Sequence, residues 1–281
     1  MSAPTAAVSV IVPAYQPGPY LRPALDSLIA QTFTAWEAVV VDDGSIEDLS
    51  WVAEADPRIS LFRQANRGLP TARNVAIGLT NGPLVAFLDA DDLWLPDKLA
   101  AQVAAMAATL DLALVSTRFN IVDVAGSVTG GGFEGYHDSY EKLLQGCGIC
   151  VSTVVVRRSV LDEVGLFDPT LTSAEDWDLW LRIAQQYPIS RLDEVLAYYR
   201  VHPGGMTRDW RRSRSQARRV LQRHDHSLVS TGLARADTLA SHQAFDAARV
   251  ARGQGRWADV AKDLLFVACH RPRLLVDALR P

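Results

Sequence analysis

The sequence is short of cysteine, of excess positive charge and of long apolar runs, and each shortage removes a class of protein. Three cysteines, Cys147, Cys150 and Cys269, are too few for a disulfide framework in 281 residues. Cys147 and Cys150 have the Cys-x-x-Cys spacing of redox and zinc sites. No second pair completes a structural zinc site, so they read as two small buried or loop thiols. The formal net charge of −4 gives no global attraction to nucleic acid. No stretch approaches the ~20 apolar residues that span a bilayer. The amino terminus lacks a basic region, and its first apolar run, Val8 to Val12, is too short for a signal peptide. The expected location is therefore cytoplasmic.

Hydrophobic residues make up 48% of the chain, enough to bury a full core in one large domain or a domain with an appendage. A β-branched strand, Val8 to Val12, ends at Pro13, and Tyr15-Gln16-Pro17-Gly18-Pro19 turns the chain. Leu21, Ala24, Leu25, Leu28 and Ile29 recur at helical spacing. Trp36 to Val41 is a second apolar strand that stops at Asp42-Asp43-Gly44-Ser45, and Ile59 to Phe62 is a short third. A helix on Ala72, Val75, Ala76 and Leu79 breaks at Asn81-Gly82-Pro83. Next, Val85-Ala86-Phe87-Leu88 runs straight into Asp89-Ala90-Asp91-Asp92, as a strand buried on both faces would. Leu99, Val103, Met106 and Leu110 stripe another helix, and Leu112 to Val115 is another strand. This alternation predicts a doubly wound α/β fold with a parallel sheet over the first ~115 residues.

In such sheets, ligands bind beyond the carboxyl ends of the strands, which is where Asp89, Asp91 and Asp92 emerge. Crowded carboxylates raise one another's pKa unless a cation sits among them. One reading is a Mg²⁺ or Mn²⁺ site that holds a diphosphate. The other is that Asp91 or Asp92 caps the helix containing Asp97-Lys98-Leu99. Asp42-Asp43 alone is an ordinary turn. Two acidic strand ends together with the arginines Arg67 and Arg73 at a helix start suit a nucleotide: carboxylate to base or ribose, metal to diphosphate, arginine to phosphate. Pro13-Ala14-Tyr15-Gln16-Pro17 offers no glycine-rich phosphate loop, which argues against a nucleotidyltransferase.

Val8 to Tyr15, Val39-Val40-Val41-Asp42-Asp43-Gly44-Ser45, Ala72-Arg73-Asn74 and Leu88-Asp89-Ala90-Asp91-Asp92 together resemble the family 2 glycosyltransferases in order and spacing. The likeness continues through Val164-Gly165-Leu166-Phe167-Asp168 and Glu175-Asp176-Trp177-Asp178-Leu179-Trp180-Leu181-Arg182. It implies the GT-A fold: a Rossmann-like, mostly parallel central sheet flanked by helices, here with a C-terminal helical appendage. It also implies a nucleoside-diphosphate sugar donor (usually UDP-linked), a Mg²⁺ or Mn²⁺ cofactor in a DXD motif, and inversion at the anomeric carbon. By that likeness Asp43 bonds the nucleobase, and Pro13, Ala14, Tyr15 and Arg73 contact the donor nucleotide. Asp91 ligates the metal, with Asp89 on the ribose or in the metal's second shell. Gln16 and Pro70 depart from the family's usual asparagine and small polar residue, and neither touches the aspartates.

Ser173-Ala174-Glu175-Asp176 precedes a helix with Trp177, Trp180, Leu181 and Ala184 on its apolar side. Acids at a helix start also serve as an ordinary cap. The resemblance makes Asp176 the general base and places Glu175 and Trp177 in the acceptor or catalytic region. His202 follows a strand, Val195 to Arg200, and suits either a metal or diphosphate contact or an exposed loop. Residues 118–150 read as a glycine-rich, weakly periodic segment, and the resemblance implies that it helps shape the acceptor pocket. Seven arginines between Arg208 and Arg223, against Asp209 alone, suit an anionic membrane surface or a solvated, salt-bridged helix. A helical pair is expected around Ala247 to Ala268.

The expected organisation is a glycosyltransferase domain over 1–207 and a helical extension over 208–281. The first would have a nucleotide-sugar half to about 116 and an acceptor half beyond it. Glycan, lipid-linked or small-molecule acceptors all fit, in cell-surface glycan or polysaccharide assembly, with no nucleic acid partner. A processive synthase is disfavoured, because Gln254-Gly255-Arg256-Trp257 falls one residue short of that group's Gln-x-x-Arg-Trp signature.

Overall fold

The computed structural model describes residues 6–132, 138–202, 204–205 and 210–224. The chain divides into two compact units, one of residues 1–143 with 147–202, the other of 144–146 with 203–281.

The first unit is a nine-stranded sheet with helices packed on it. Its strands are β1 (Val8–Ala14), β2 (Trp36–Asp42), β3 (Ile59–Arg63), β4 (Leu84–Phe87), β5 (Leu93–Trp94), β6 (Leu114–Val122), β7 (Val128–Gly131), β8 (Val155–Arg157) and β9 (Ile189–Arg200). They lie in the order β3-β2-β1-β4-β8-β6-β9-β5, with β7 paired to β6. The first four pair in parallel, whereas β8, β7 and β5 run against their neighbours. Because β6 is also antiparallel to β8 and parallel to β9, the sheet remains mostly parallel, as expected.

Every residue of β1 is buried, as is every residue of β4, which is why both read as unbroken apolar runs. Pro13 is tolerated in the central β1 because β4 pairs only as far as Phe87 with Ile11 and then turns away. The missing N–H at Pro13 therefore interrupts no ladder on that side.

The helices of this unit are α1 (Leu21–Ile29), α2 (Leu69–Gly78), α3 (Lys98–Ala108), α4 (Tyr140–Leu144, whose last residue belongs to the second unit), α5 (Arg158–Val164) and α6 (Glu175–Ala184). α6 buries Trp177, Leu179, Trp180, Leu181 and Ile183. Trp180 packs with Phe87 from the end of β4 and with Phe167, at ring centroid distances of 5.9 and 6.3 Å, and Phe87 and Phe167 meet edge-on at 5.3 Å. Each such aromatic pair contributes about 0.5–1.5 kcal/mol beyond area burial. The cluster anchors the acidic end of β4 beside the acidic start of α6.

Three local expectations change. The described residues of 118–150, which are 118–132 and 138–150, hold more regular structure than their glycine content suggests. β6 continues to Val122 alongside β9, β7 adds a hairpin arm, and α4 follows. Arg118-Phe119-Asn120-Ile121 alternates polar and apolar residues, the pattern of a strand with one covered face. Cys150 to Arg157 reads in the sequence as one strand but is not continuous. A 3-10 turn at Val151–Thr153 precedes β8, and the Thr153 hydroxyl donates to the Cys150 carbonyl (2.6 Å). Leu110 lies past the end of α3 and is exposed.

In the second unit, α7 (Trp210–Leu221) is the basic segment expected between Arg208 and Arg223. Ala217, Val220 and Leu221 are buried, and Arg212, Arg219 and Arg223 are exposed. The expected helical pair at Ala247 to Ala268, together with Arg208, Asp209 and Cys269, lies outside the described residues.

Candidate active site

The chain leaves β4 at Leu88, whose N–H donates to Ile11 (3.0 Å), and closes a turn in which the Asp92 N–H donates to the Asp89 carbonyl (3.1 Å). This turn sends its three carboxylates in different directions. Asp89 Oδ1 accepts from Arg73 Nη2 (2.7 Å), and Asp91 Oδ2 shares a hydrogen bond with His202 Nε2 (2.8 Å). Asp92 is wholly buried and accepts from the Ser152 hydroxyl (2.5 Å) and the Arg200 N–H (2.9 Å).

The expected role of Asp92 as a helix cap is therefore corrected. α3 begins at Lys98 after Asp97 and has no side-chain cap. A buried carboxylate needs donors, and Asp92 finds them in the 3-10 turn and the end of β9. Burial, and then the charges of Asp91 and Asp89, push its pKa well above the usual range. Burial and then Asp89 also raise Asp91, while the His202 hydrogen bond works the other way. His202 is fixed from its other side by the Tyr20 ring, at a centroid distance of 4.7 Å.

Beside this turn lie the ends of β1 and β2. The Ala14 carbonyl accepts from the Asp43 N–H (2.8 Å), and the Gln16 N–H, in a positive-φ residue, donates to Ser45 Oγ (3.0 Å). Tyr15 is more than half exposed, whereas Ala14 is buried at the strand end. Asp43 is buried and holds the loop that leads to α2. Its Oδ1 accepts from Gln64 Nε2 (2.7 Å) and the Arg67 N–H (2.9 Å), and its Oδ2 accepts from the Gly68 N–H (2.8 Å). A carboxylate has about four acceptor positions, so three donors leave one. Gly44 has φ +87°, and a Cβ there would stand 2.9 Å from the Asn66 nitrogen, so this close approach requires glycine.

The second acidic cluster comes from α6. Ala174 precedes it at φ 60°, and no side chain caps the helix, so the capping role open to these acids is not the one they take. Glu175 is buried, and its Oε1 accepts from Arg73 Nη1 (2.7 Å). Asp176 Oδ1 accepts from the Trp177 N–H (2.7 Å). Burial, and next the charge of Glu175, push the Asp176 carboxyl up to about 7, with Arg73 opposing the rise.

Arg73 thus stands between the two clusters. Expected to contact the donor nucleotide, it is 1% exposed, and each of its terminal nitrogens donates to a carboxylate. Trp177, expected in the acceptor or catalytic region, directly follows Asp176 in α6. It is buried, and its indole N–H donates to the Leu143 carbonyl (2.8 Å), tying α4 to α6.

The residue-level reading missed Ser152 and Arg200. Ser152 Oγ accepts from the Asp89 N–H (3.1 Å) while donating to Asp92. Arg200 Nε donates to the Asp91 carbonyl (3.0 Å).

The model of the family described as glycosyl transferase family 2 matches residues 9–165. The chain belongs to that family. Within it, the chain is 32% identical over 189 residues to a UDP-Glc:alpha-D-GlcNAc-diphosphoundecaprenol beta-1,3-glucosyltransferase, WfgD, of Escherichia coli, covering 66% of this chain and 73% of the relative. It spans between 30% and 34% of the length of the first curated relatives it matches. S. aureus TarS 1-349 in complex with UDP-GlcNAc shares the fold with a TM-score of 0.67 and 23% identity, over 97% of this chain and 83% of that one. A mannosyltransferase from Pyrobaculum calidifontis, PcManGT, in complex with GDP-Man and Mn2+, does so with a TM-score of 0.63 and 20% identity, over 95% and 82%.

A family 2 site of this shape also bears on a divalent cation. Among the described residues, no group of three or more His, Cys, Asp or Glu side chains converges as a self-contained metal cage. Asp91 and His202 form a pair of donors, and the Asp91 side chain is 36% exposed. One carboxylate and one imidazole nitrogen at a partly exposed position fit a hard cation that takes its other ligands from phosphates and water.

Proposed function

We propose that this chain transfers a sugar, with inversion, from a UDP-linked nucleoside-diphosphate sugar to an acceptor hydroxyl in cell-surface glycan or polysaccharide assembly. One observation carries the reading: acids from the end of β4 and the start of α6 face each other across a single buried arginine. One of them, Asp176, is held near neutrality.

In this reading Asp176 takes the proton of the acceptor hydroxyl as its oxygen attacks the anomeric carbon. The bond from that carbon to the diphosphate oxygen breaks on the opposite face, which inverts the centre. General base catalysis of this kind contributes roughly 10²–10⁴-fold. The remaining acceptor position on Asp43 receives a nucleobase N–H. Pro13, Ala14 and the exposed Tyr15 border the base, and Asp89 faces the ribose. Asp91 and His202 would hold Mg²⁺ or Mn²⁺, which when bound would offset the negative charge that builds on the departing diphosphate. The lipid-diphosphate acceptor named for WfgD, and the arginines of α7, support a lipid-linked acceptor at an anionic membrane face.

The test is nucleoside diphosphate release from a panel of nucleotide sugars, with and without Mn²⁺. The expected result is metal-stimulated turnover with a UDP sugar that rises with pH through about 7 and then levels, because the base acts deprotonated. Asp176→Asn should keep UDP binding and lose turnover, whereas wild-type turnover in that variant removes the base assignment.

A further inference from the structure

Arg73 and Asn74 are adjacent on α2, and both reach the same distant segment. Asn74 Nδ2 donates to the Phe167 carbonyl (2.8 Å), and the Phe167 N–H donates back to Asn74 Oδ1 (3.1 Å). The Phe167 ring lies 5.2 Å from the Arg73 guanidinium carbon. The guanidinium spans two carboxylates far apart in sequence, Asp89 at 2.7 Å and Glu175 at 2.7 Å. Its Nε is buried without a partner, so the side chain is placed for its two terminal nitrogens even at the cost of an unsatisfied donor. A planar fork meets two acids in fixed directions, whereas a lysine ammonium is a single point charge on a flexible stem.

We propose that Arg73 is a positioning residue for the transfer step. Held by Asp89 at one nitrogen and Glu175 at the other, it fixes the donor end of β4 against the helix turn that presents Asp176. The inference rests on Asp176 being the base. It goes further by making base alignment depend on an arginine that acts through Asp89 and Glu175.

The charges facing Asp176 are Glu175 on its own helix, Arg73 on α2 and Asp89 after β4, with the thiols Cys147 and Cys150 also nearby. Arg73 favours the ionised base, and Glu175 opposes it. Substitutions of the two should therefore move the acid limb of the pH–rate profile in opposite directions.

The experiment measures kcat, donor KM and the pH profile for donor turnover, with UDP plus Mn²⁺ as the calorimetric binding probe. Glu175→Gln keeps a hydrogen-bond acceptor for Arg73 and leaves the Asp89 pair in place. It should lower kcat roughly 10–100-fold through misalignment. UDP affinity should stay within about threefold, and the acid limb should shift downward by about half a pH unit or more. Arg73→Met should shift that limb upward, and Arg73→Lys should not restore kcat. If Arg73→Met does not fold, the Glu175→Gln profile decides alone. Unmoved limbs, or a loss confined to UDP affinity, overturn the proposal, the latter by making Arg73 a phosphate ligand. If Asp176→Asn turns over normally, the base reading fails too. If it is inactive while the limbs stay fixed, only the role of Arg73 fails.

Discussion

Asp91 carries a cost that a ligand would relieve. Burial and the neighbouring charge of Asp89 favour its protonated form, and the pairing with His202 only partly offsets this. A divalent cation beside Asp91 reverses that balance, because it favours the ionised carboxylate. Asp91→Ala should therefore remove the dependence of UDP affinity on Mn²⁺, read by calorimetry with and without the metal. His202→Ala should weaken the Mn²⁺ response without abolishing it, since one carboxylate would remain. Unchanged Mn²⁺-dependent affinity in Asp91→Ala would refute its placement as a ligand. Asp92, wholly buried, is kept from that role by its own partners, Ser152 and the Arg200 N–H.

The turn that carries these acids is held by elements that precede and follow it at long range. Ser152, in the 3-10 turn before β8, joins the Asp89 N–H to the Asp92 carboxylate through one hydroxyl. Ser152→Ala leaves a buried carboxylate short of a donor, at about 1–3 kcal/mol. The melting temperature should fall by roughly 2–4 °C per kcal/mol for a domain of this size, and donor KM should rise as the turn loosens. A variant with wild-type melting and KM would show that Arg200 alone holds the turn. This arrangement also explains what was legible in the sequence. β1, β2 and β4 are apolar runs, so their ends and the acids at Asp42, Asp43 and Asp89 could be placed from pattern alone. Glu175 and Asp176 look like any acidic helix start, and only their likeness to a known family marked them. Ser152 and Arg200 act through a hydroxyl in an irregular turn and through backbone contacts, which leave no periodic signal. β5 is two residues long and exists only because β9 runs alongside it.

At the scale of the whole molecule, the question is how a chain without a membrane-spanning helix among its described residues would meet a lipid-linked acceptor. α7 narrows the answer. An amphipathic helix that inserts into a bilayer must offer its apolar face, but Ala217, Val220 and Leu221 are already buried. Arg212, Arg219 and Arg223 are exposed, so any attraction would be of surface charge to anionic headgroups. Such attraction contributes about 1 kcal/mol per basic residue near the surface and decays within a Debye length. The full chain should therefore float with vesicles rich in phosphatidylglycerol at low salt, and not with phosphatidylcholine vesicles. Binding should disappear at high ionic strength, where the Debye length shrinks to about 3 Å. Arg212→Glu combined with Arg219→Glu should abolish flotation while leaving UDP affinity unchanged, because neither residue belongs to the acidic site. Salt-resistant binding, or equal binding to neutral vesicles, would instead require an apolar surface other than that of α7 and would remove the electrostatic account.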